Sequence, residues 1–394
     1  MAAMTRPDHP IYLDYAASTP VDPWVGEAMT ALMTADGNYS NPSSTHAAGR
    51  RSVEYIAHAA GQLASLLNTS ADRLVWTSGA TESNNLAILG AAHYRREHGQ
   101  HLITMRTEHK AVTDPFSELQ NQGFDVTWLD PETDGALDIE NLKAALRDDT
   151  QLVSVMHVNN ETGVIQNIRA IGALCREQGA LLHVDAAQSC GKLPLDLAAL
   201  PVDLMSVTAH KMYGPKGIGA LYIADRPGVY VDPLLFGGGQ QQKLRPGTLP
   251  AQQIVGLGAT AAIAQSRMQD DVAHLTALRD RMWAGIGDIP GVMVNGDIAT
   301  GFPGILNVSI EDVEGESLLL ALEPLCVATG SACNSKNQEP SYVLRALGRN
   351  DDLAQSAIRF SFGRPTRGQD VDIAIELYRD AVAKLRRIAP ERAV

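Results

Sequence analysis

The sequence predicts an α/β fold, with a mostly parallel seven-stranded sheet in a large unit and a smaller α+β unit after it. Three observations carry this. From about residue 72 to 225, seven short runs rich in Val, Ile and Leu succeed one another: RLVWTS, HLITMR, FDVTWL, LVSVMHV, LLHVDA, DLMSVT and IGALYI. Each has the length of a buried strand. Helical patterns such as ESNNLAILGAAHYRRE, ENLKAALRDD and AIGALCREQG lie between several of them, and that alternation marks a parallel sheet. A long helical pattern at about 251–287 then carries the chain onward. Beyond it, the strand candidates MVNG, GILNVSI and AIRFSFG are scattered among terminal helices, as in a second unit from about residue 265. The start, IYLDYAASTPVD, offers a short strand and a turn, not an independent unit.

Composition narrows the function. The 394 residues are 45% hydrophobic and 20% charged, ordinary for a globular protein with a full core. The net charge of −13 argues against nucleic acid as a direct partner. Four cysteines (Cys175, Cys190, Cys326, Cys333) are too few for a disulfide framework and show no CxxC spacing, so no metal site is expected. A reducing, cytoplasmic compartment is expected. MAAMTRPDHP has no signal pattern, and no apolar run reaches the roughly 18 residues of a membrane span.

Ligands of open α/β sheets sit beyond the carboxyl ends of the strands. The ends of these runs carry Gly79-Ala80-Thr81 at a helix start, His109, Asn159 and Asn160, Asp185 with Gln188, and His210 with Lys211. Each has a bland reading alone. SGAT reads as an N-cap, Asp185 as a cap for the next segment, and Lys211 as a surface lysine. Jointly, they supply an anion-binding helix N-terminus, a carboxylate at a buried strand end and a lysine suited to Schiff-base chemistry. GPKGIG lacks the GK[ST] ending of a P-loop and reads as a turn with Lys216 exposed. A Schiff-base lysine, an aspartate for a pyridinium nitrogen and a phosphate cup are what pyridoxal phosphate needs.

At this point the chain resembles the fold-type I pyridoxal-phosphate enzymes of the class V aminotransferase group, and within it the cysteine desulfurases of the NifS/IscS type. The resemblance covers about residues 10–388. It rests on YLDYAASTPVD, NPSSTH, TSGATESNNLAI, TEHKAV, MHVNNETG, HVDAAQ, AHKMYGPKGIGALY, GGGQQQKLRPGT, TGSACNS, EPSYVLRALG and IRFSFGR. It implies a large cofactor domain over 20–264 and a small domain from 1–19 with 265–394. By resemblance, Lys211 holds the cofactor as a Schiff base, Asp185 pairs with its ring nitrogen, and Gln188 bonds its ring hydroxyl. His109 stacks on the ring and shuttles protons. Ala80, Thr81, Thr208 and His210 take the phosphate, and Thr248 reaches the phosphate of a second subunit in a homodimer. Arg359 binds the substrate carboxylate and Asn160 orients the substrate; alone, these two read as a structural ion pair and a turn residue.

Cys333 lies in ATGSACNSKNQEPS, a Gly-, Ser- and Asn-rich stretch that reads as a mobile, accessible loop. The other three cysteines are expected to be packed. The resemblance makes Cys333 the nucleophile that takes sulfur from L-cysteine as a persulfide, leaving L-alanine, and passes it to an acceptor or scaffold protein. Iron–sulfur cluster assembly, or thiolation of tRNA or a cofactor, would be the destination. Some positions depart from the common family pattern. Thr208 and Ala209 stand where serine and glycine are usual, Pro246 replaces a common serine, and QQQK is less charged. The chain ends at APERAV, without the extension that housekeeping members use to dock their scaffold. The rivals are an aminotransferase or selenocysteine lyase, a retired scaffold and a Rossmann nucleotide binder. The TGSAC cysteine, the intact Lys211, Asp185 and His109, and the missing GxGxxG respectively weigh against them.

Overall fold

A computed structural model of the chain describes residues 10–329 and 339–388. The elements in chain order are β1 Ile11–Tyr12, α1 Pro23–Thr30, α2 Ala47–Leu67, β2 Leu74–Thr77, α3 Ala80–Tyr94, β3 His101–Met105, α4 Lys110–Asn121 and β4 Asp125–Leu129. Next come α5 Ile139–Ala145, β5 Thr150–Met156, α6 Ile168–Gln178, β6 Leu181–Asp185, β7 Leu204–Thr208 and β8 Gly219–Ile223. The remainder is α7 Ala251–Ile286, β9 Val292–Val294, β10 Ile305–Ile310, α8 Gly315–Ala321, β11 Leu325–Cys326, α9 Tyr342–Ala346, α10 Asp351–Gln355, β12 Ile358–Ser361 and α11 Gly368–Ile388.

All seven apolar runs enter one sheet, in the order β2-β8-β7-β6-β5-β3-β4. Its pairs are parallel except those of β8, which runs antiparallel to both β2 and β7. The central strands β3, β5, β6 and β7 are buried along their whole length because both faces are covered. Leu152, Leu181 and Leu204 pack with Leu86 of α3 and Phe116 of α4. Their chain neighbours Val153, Leu182 and Met205 point the other way, towards α2, α6 and the start of α7. Alternate residues therefore serve two cores.

The 36-residue α7 joins two cores as well. Ile254, Leu257 and Ala261 lie in the sheet's core. Leu275, Met282 and Ile286 lie in a second core, built on β10, β12 and α11. That second core also takes Leu13 and Ala16 from the N-terminal segment. β1 pairs in parallel with β11, and Asp14 bridges to Ser361 at the end of β12. The segment is thereby held against the carboxyl edge of the sheet: Thr19 N–H donates to His210 O at 2.9 Å.

Register aligns that edge. Met156 of β5 pairs with Asp185 of β6, and Asp185 with Ser206 of β7. Gly219, where β8 begins, pairs with both Thr208 and Thr77. A Cβ on Gly219 would fall 2.5 Å from Val207 O and 2.7 Å from Gly79 Cα, so only glycine lets these strands close up there.

Candidate active site

A cavity of about 530 Å³ opens at this edge. Lys211, Asp185, Gln188, His109, Ala80, Thr81, Thr208, His210, Asn160 and Arg359 all line it. Thr248 does not; it is exposed on the outside of the molecule. Cys333 lies outside the described residues.

The phosphate end is built by the β2–α3 turn. Gly79, at φ 151° and ψ −177°, takes a backbone conformation open almost only to glycine and launches α3 at Ala80. The first turn of α3 brings N–H groups and the positive end of its dipole to the cavity. Thr208 Oγ1 faces this turn, buried and without a hydrogen-bond partner. An orphaned hydroxyl against a helix N-terminus is what a phosphate would satisfy. Lys216, exposed in its turn, adds positive charge at the rim.

Asp185 is 5% exposed, yet its carboxylate is well supplied with donors. Asn84 Nδ2 donates to Oδ2 at 2.7 Å and Ala187 N–H to Oδ1 at 2.8 Å. Asn84 was not expected from sequence; it comes from α3, 101 residues earlier. The lining is thus a carboxylate, a lysine and an imidazole at one end and an anion cup at the other. That donor set fits pyridoxal phosphate.

His109 caps α4. Its Nδ1 accepts from Ala111 N–H at 3.0 Å, so the neutral ring carries its proton on Nε2. Burial lowers its pKa below the ordinary histidine value, Asp185 opposes that and Lys211 adds to it. His210 is pushed down to about 4, chiefly by burial and then by Lys211.

Arg359, on β12, lines the cavity from the side of the second core. It is 7% exposed. Its Nη2 donates to Asp14 Oδ1 and its Nη1 to the main-chain oxygen of Asn160, both at 2.7 Å. Asn160 therefore contributes its carbonyl to positioning the arginine. Asn159 beside it is structural: its Oδ1 accepts from Glu161 N–H and Thr162 N–H. Arg359 Nε remains buried without a partner, one donor short of satisfaction. With Lys at position 359 the charge stays and the planar fork goes. The KM for the carboxylate substrate of Arg359→Lys should rise ~10-fold or more, with kcat changed less, in steady-state kinetics.

Two further residues escaped the sequence reading. Glu82, in the first turn of α3, accepts from Ser78 N–H at 2.7 Å and pairs with Arg245 at 2.8 Å. Burial raises its pKa, but the Arg245 and Ser78 hydrogen bonds outweigh that and hold it below the usual range. Gln241 brackets edge strand β2, accepting from Trp76 N–H at 2.6 Å and donating to Trp76 O at 2.9 Å. These contacts tie the segment leading through Pro246 to Thr248 onto the phosphate end of the site.

Cys175 and Cys190 are packed, and burial pushes both thiols up to about 12. Cys326 departs from expectation. It is only half-buried, because the two-residue pair β1–β11 buries Leu325 and leaves its neighbour at the edge. Native alkylation at pH 8 should therefore spare Cys175 and Cys190. Peptide mapping that found them modified without unfolding would contradict their burial.

The chain belongs to the class-V aminotransferase family, whose model matches residues 11–373, and within it to the cysteine desulfurases. It is 53% identical over 382 residues to the cysteine desulfurase IscS of Escherichia coli, covering 97% of this chain and 95% of that one. Among solved structures it is similar to a NifS-like protein, with TM-score 0.88, 32% identity and coverage of 95% and 100%. It is also similar to SspA solved in complex with cysteine, with TM-score 0.80, 36% identity and coverage of 90% and 99%.

Proposed function

We propose that the protein is a pyridoxal-phosphate-dependent cysteine desulfurase, which converts L-cysteine to L-alanine and takes the sulfur onto Cys333 as a persulfide. The observation that carries this reading is the convergence of Lys211, Asp185, His109 and Arg359 on one cavity with a helix N-terminus at its end. Pyridoxal phosphate, when bound, supplies an electron sink for negative charge developed at the substrate Cα.

The chain's own residues do the rest. Ala80, Thr81, Thr208 and His210 hold the phosphate, Asp185 the ring nitrogen and Gln188 the ring hydroxyl. Lys211 Nζ is the amine that holds the group covalently and the base that moves the substrate's Cα proton. His109, neutral with its proton on Nε2, exchanges protons at the same centre. Arg359 fixes the substrate carboxylate, and the Asn160 carbonyl keeps the guanidinium in place. The Cys333 thiolate attacks the substrate sulfur. An S–S bond forms as the C–S bond breaks. The electron pair of that bond stays with carbon, which gains a proton and leaves within L-alanine.

A homodimer completes the site in this reading. Thr248 is exposed, away from its own cavity, and would reach the phosphate of the second copy. The sulfur then passes to an acceptor protein for iron–sulfur cluster assembly or thiolation. The compartment proposed is the cytoplasm, whose reducing poise keeps the Cys333 thiol free. Among the described residues, no helix is long and apolar enough to cross a membrane.

The test is product analysis. Holoenzyme given L-cysteine and a thiol reductant should yield alanine and sulfide in equal amounts. Pyruvate or another keto acid in place of alanine would reassign the reaction.

A further inference from the structure

Lys192 sits behind the cavity wall on the loop after β6. It does not line the cavity, and the catalytic proposal gives it no role. Its Nζ donates to Gln188 Oε1 at 3.0 Å and lies 5.6 Å from the centre of the Phe302 ring. Among the described residues no carboxylate lies within ion-pair distance of it. Cys190 on its own loop, and Lys211 and Arg359 across the site, act on it electrostatically. His274, Asp271 and Arg364 line the same small, mostly apolar cavity as Lys192. Burial pushes its ammonium down to about 7, and the two nearby cations add to the cost. A cation placed this way is a poor stabilising device.

What the lysine does have is a grip on Gln188. That side chain is 3% exposed, and its Nε2 donates to Ala16 O at 2.8 Å. A backbone carbonyl can only accept, and a lysine ammonium can only donate. The two neighbours therefore admit one orientation of the amide. Turned over, it would face oxygen to oxygen and N–H to N–H. In the orientation held, Nε2 keeps one hydrogen to spare, and Gln188 lines the cofactor cavity.

We infer that Lys192 is a positioning residue that locks the Gln188 amide so that it meets the cofactor's ring hydroxyl as a hydrogen-bond donor, favouring the ionised oxygen. This rests on the pyridoxal-phosphate reading of the site. With Met at position 192, only the Ala16 carbonyl still selects the orientation of the amide, and the turned amide, which offers its carbonyl to the ring hydroxyl and favours the protonated form, gains population.

The experiment is a pH titration of the absorption spectrum of holo Lys192→Met, with cofactor affinity measured by reconstituting the apo chain. The ratio of the two cofactor absorption forms at neutral pH should shift ~10-fold toward the protonated hydroxyl, the worth of one hydrogen bond to a charged group. Pyridoxal phosphate should bind several-fold more weakly, while the Tm holds or rises. Lys192→Arg keeps a donor and should restore the wild-type spectrum. In a Gln188→Met background, adding Lys192→Met should change nothing further. A Lys192→Met spectrum identical to wild type would overturn the inference, as would an undiminished shift in the Gln188→Met background. If Lys192→Met fails to fold, Lys192→Arg decides alone: a spectrum displaced as far as that of Gln188→Met overturns the inference. A wild-type chain that takes up no pyridoxal phosphate overturns the parent reading as well; one that takes it up and turns over L-cysteine leaves only Lys192 at issue.

Discussion

Lys211→Ala should lose turnover of L-cysteine by about 10³-fold or more, because one substitution removes both the covalent anchor and the base. Lys211 comes just after β7, and the register of the sheet sets the end of that strand beside Asp185. The lysine lines the cavity together with His109 and His210. Two measurements separate its roles. Borohydride reduction should fix the cofactor to the wild-type chain at the Lys211 peptide and leave Lys211→Ala unlabelled. Added primary amines should recover part of the proton-transfer rate without restoring the covalent link. Turnover retained within a few-fold would remove Lys211 from the reaction. The chain should still fold, because the cavity walls are set by strand register and by Asn84, Ala16 and Asn160.

The second large effect belongs to Cys333→Ala. Sulfide release should fall by about 10³-fold or more, as for loss of a nucleophile elsewhere. Cofactor loading and binding of L-cysteine should stay near wild type, since Lys211, Asp185 and Arg359 remain. The other thiols cannot substitute. Cys175 and Cys190 are buried with thiols near 12, which leaves almost no thiolate at neutral pH. Cys326 is half-buried beside β1 and does not line the cavity. Full activity of Cys333→Ala would end the persulfide account and leave a chemistry that needs no thiol.

The parts of this molecule that sequence made legible share a physical cause. The strands are rich in Val, Ile and Leu because the central ones, β3, β5, β6 and β7, are buried on both faces, so composition marks them. Apart from Arg359 on β12, the expected cavity residues follow the carboxyl ends of those strands, which a mostly parallel sheet brings to one edge, so marking the strands marks most of the site. What stayed hidden is pairing at long range. Asn84 holds Asp185, Arg245 holds Glu82 and Asp14 holds Arg359 across 101, 163 and 345 residues, and no spacing rule encodes such contacts. The helix over 47–67 was also missed. Its buried side mixes the small Gly49, Ser52, Ala59, Ala60 and Ala64 with Ile56, Leu63, Leu66 and Leu67, so large apolar residues are sparse over its first half. Ala59 is small because α7 passes close by: a Cβ on Gly258 would sit 2.6 Å from Ala59 Cβ. Cys326 was expected to be packed because its run is apolar, but a two-residue strand pair at an edge covers only one of its residues.

The central claim is that sulfur leaves L-cysteine onto Cys333. Its most direct test is the intact mass of the holoenzyme after brief exposure to L-cysteine without reductant, combined with peptide mapping. The account predicts the addition of one sulfur atom, located on Cys333, lost on adding a thiol reductant and absent from Lys211→Ala. Alanine accumulating over many turnovers while Cys333 stays unmodified would contradict it.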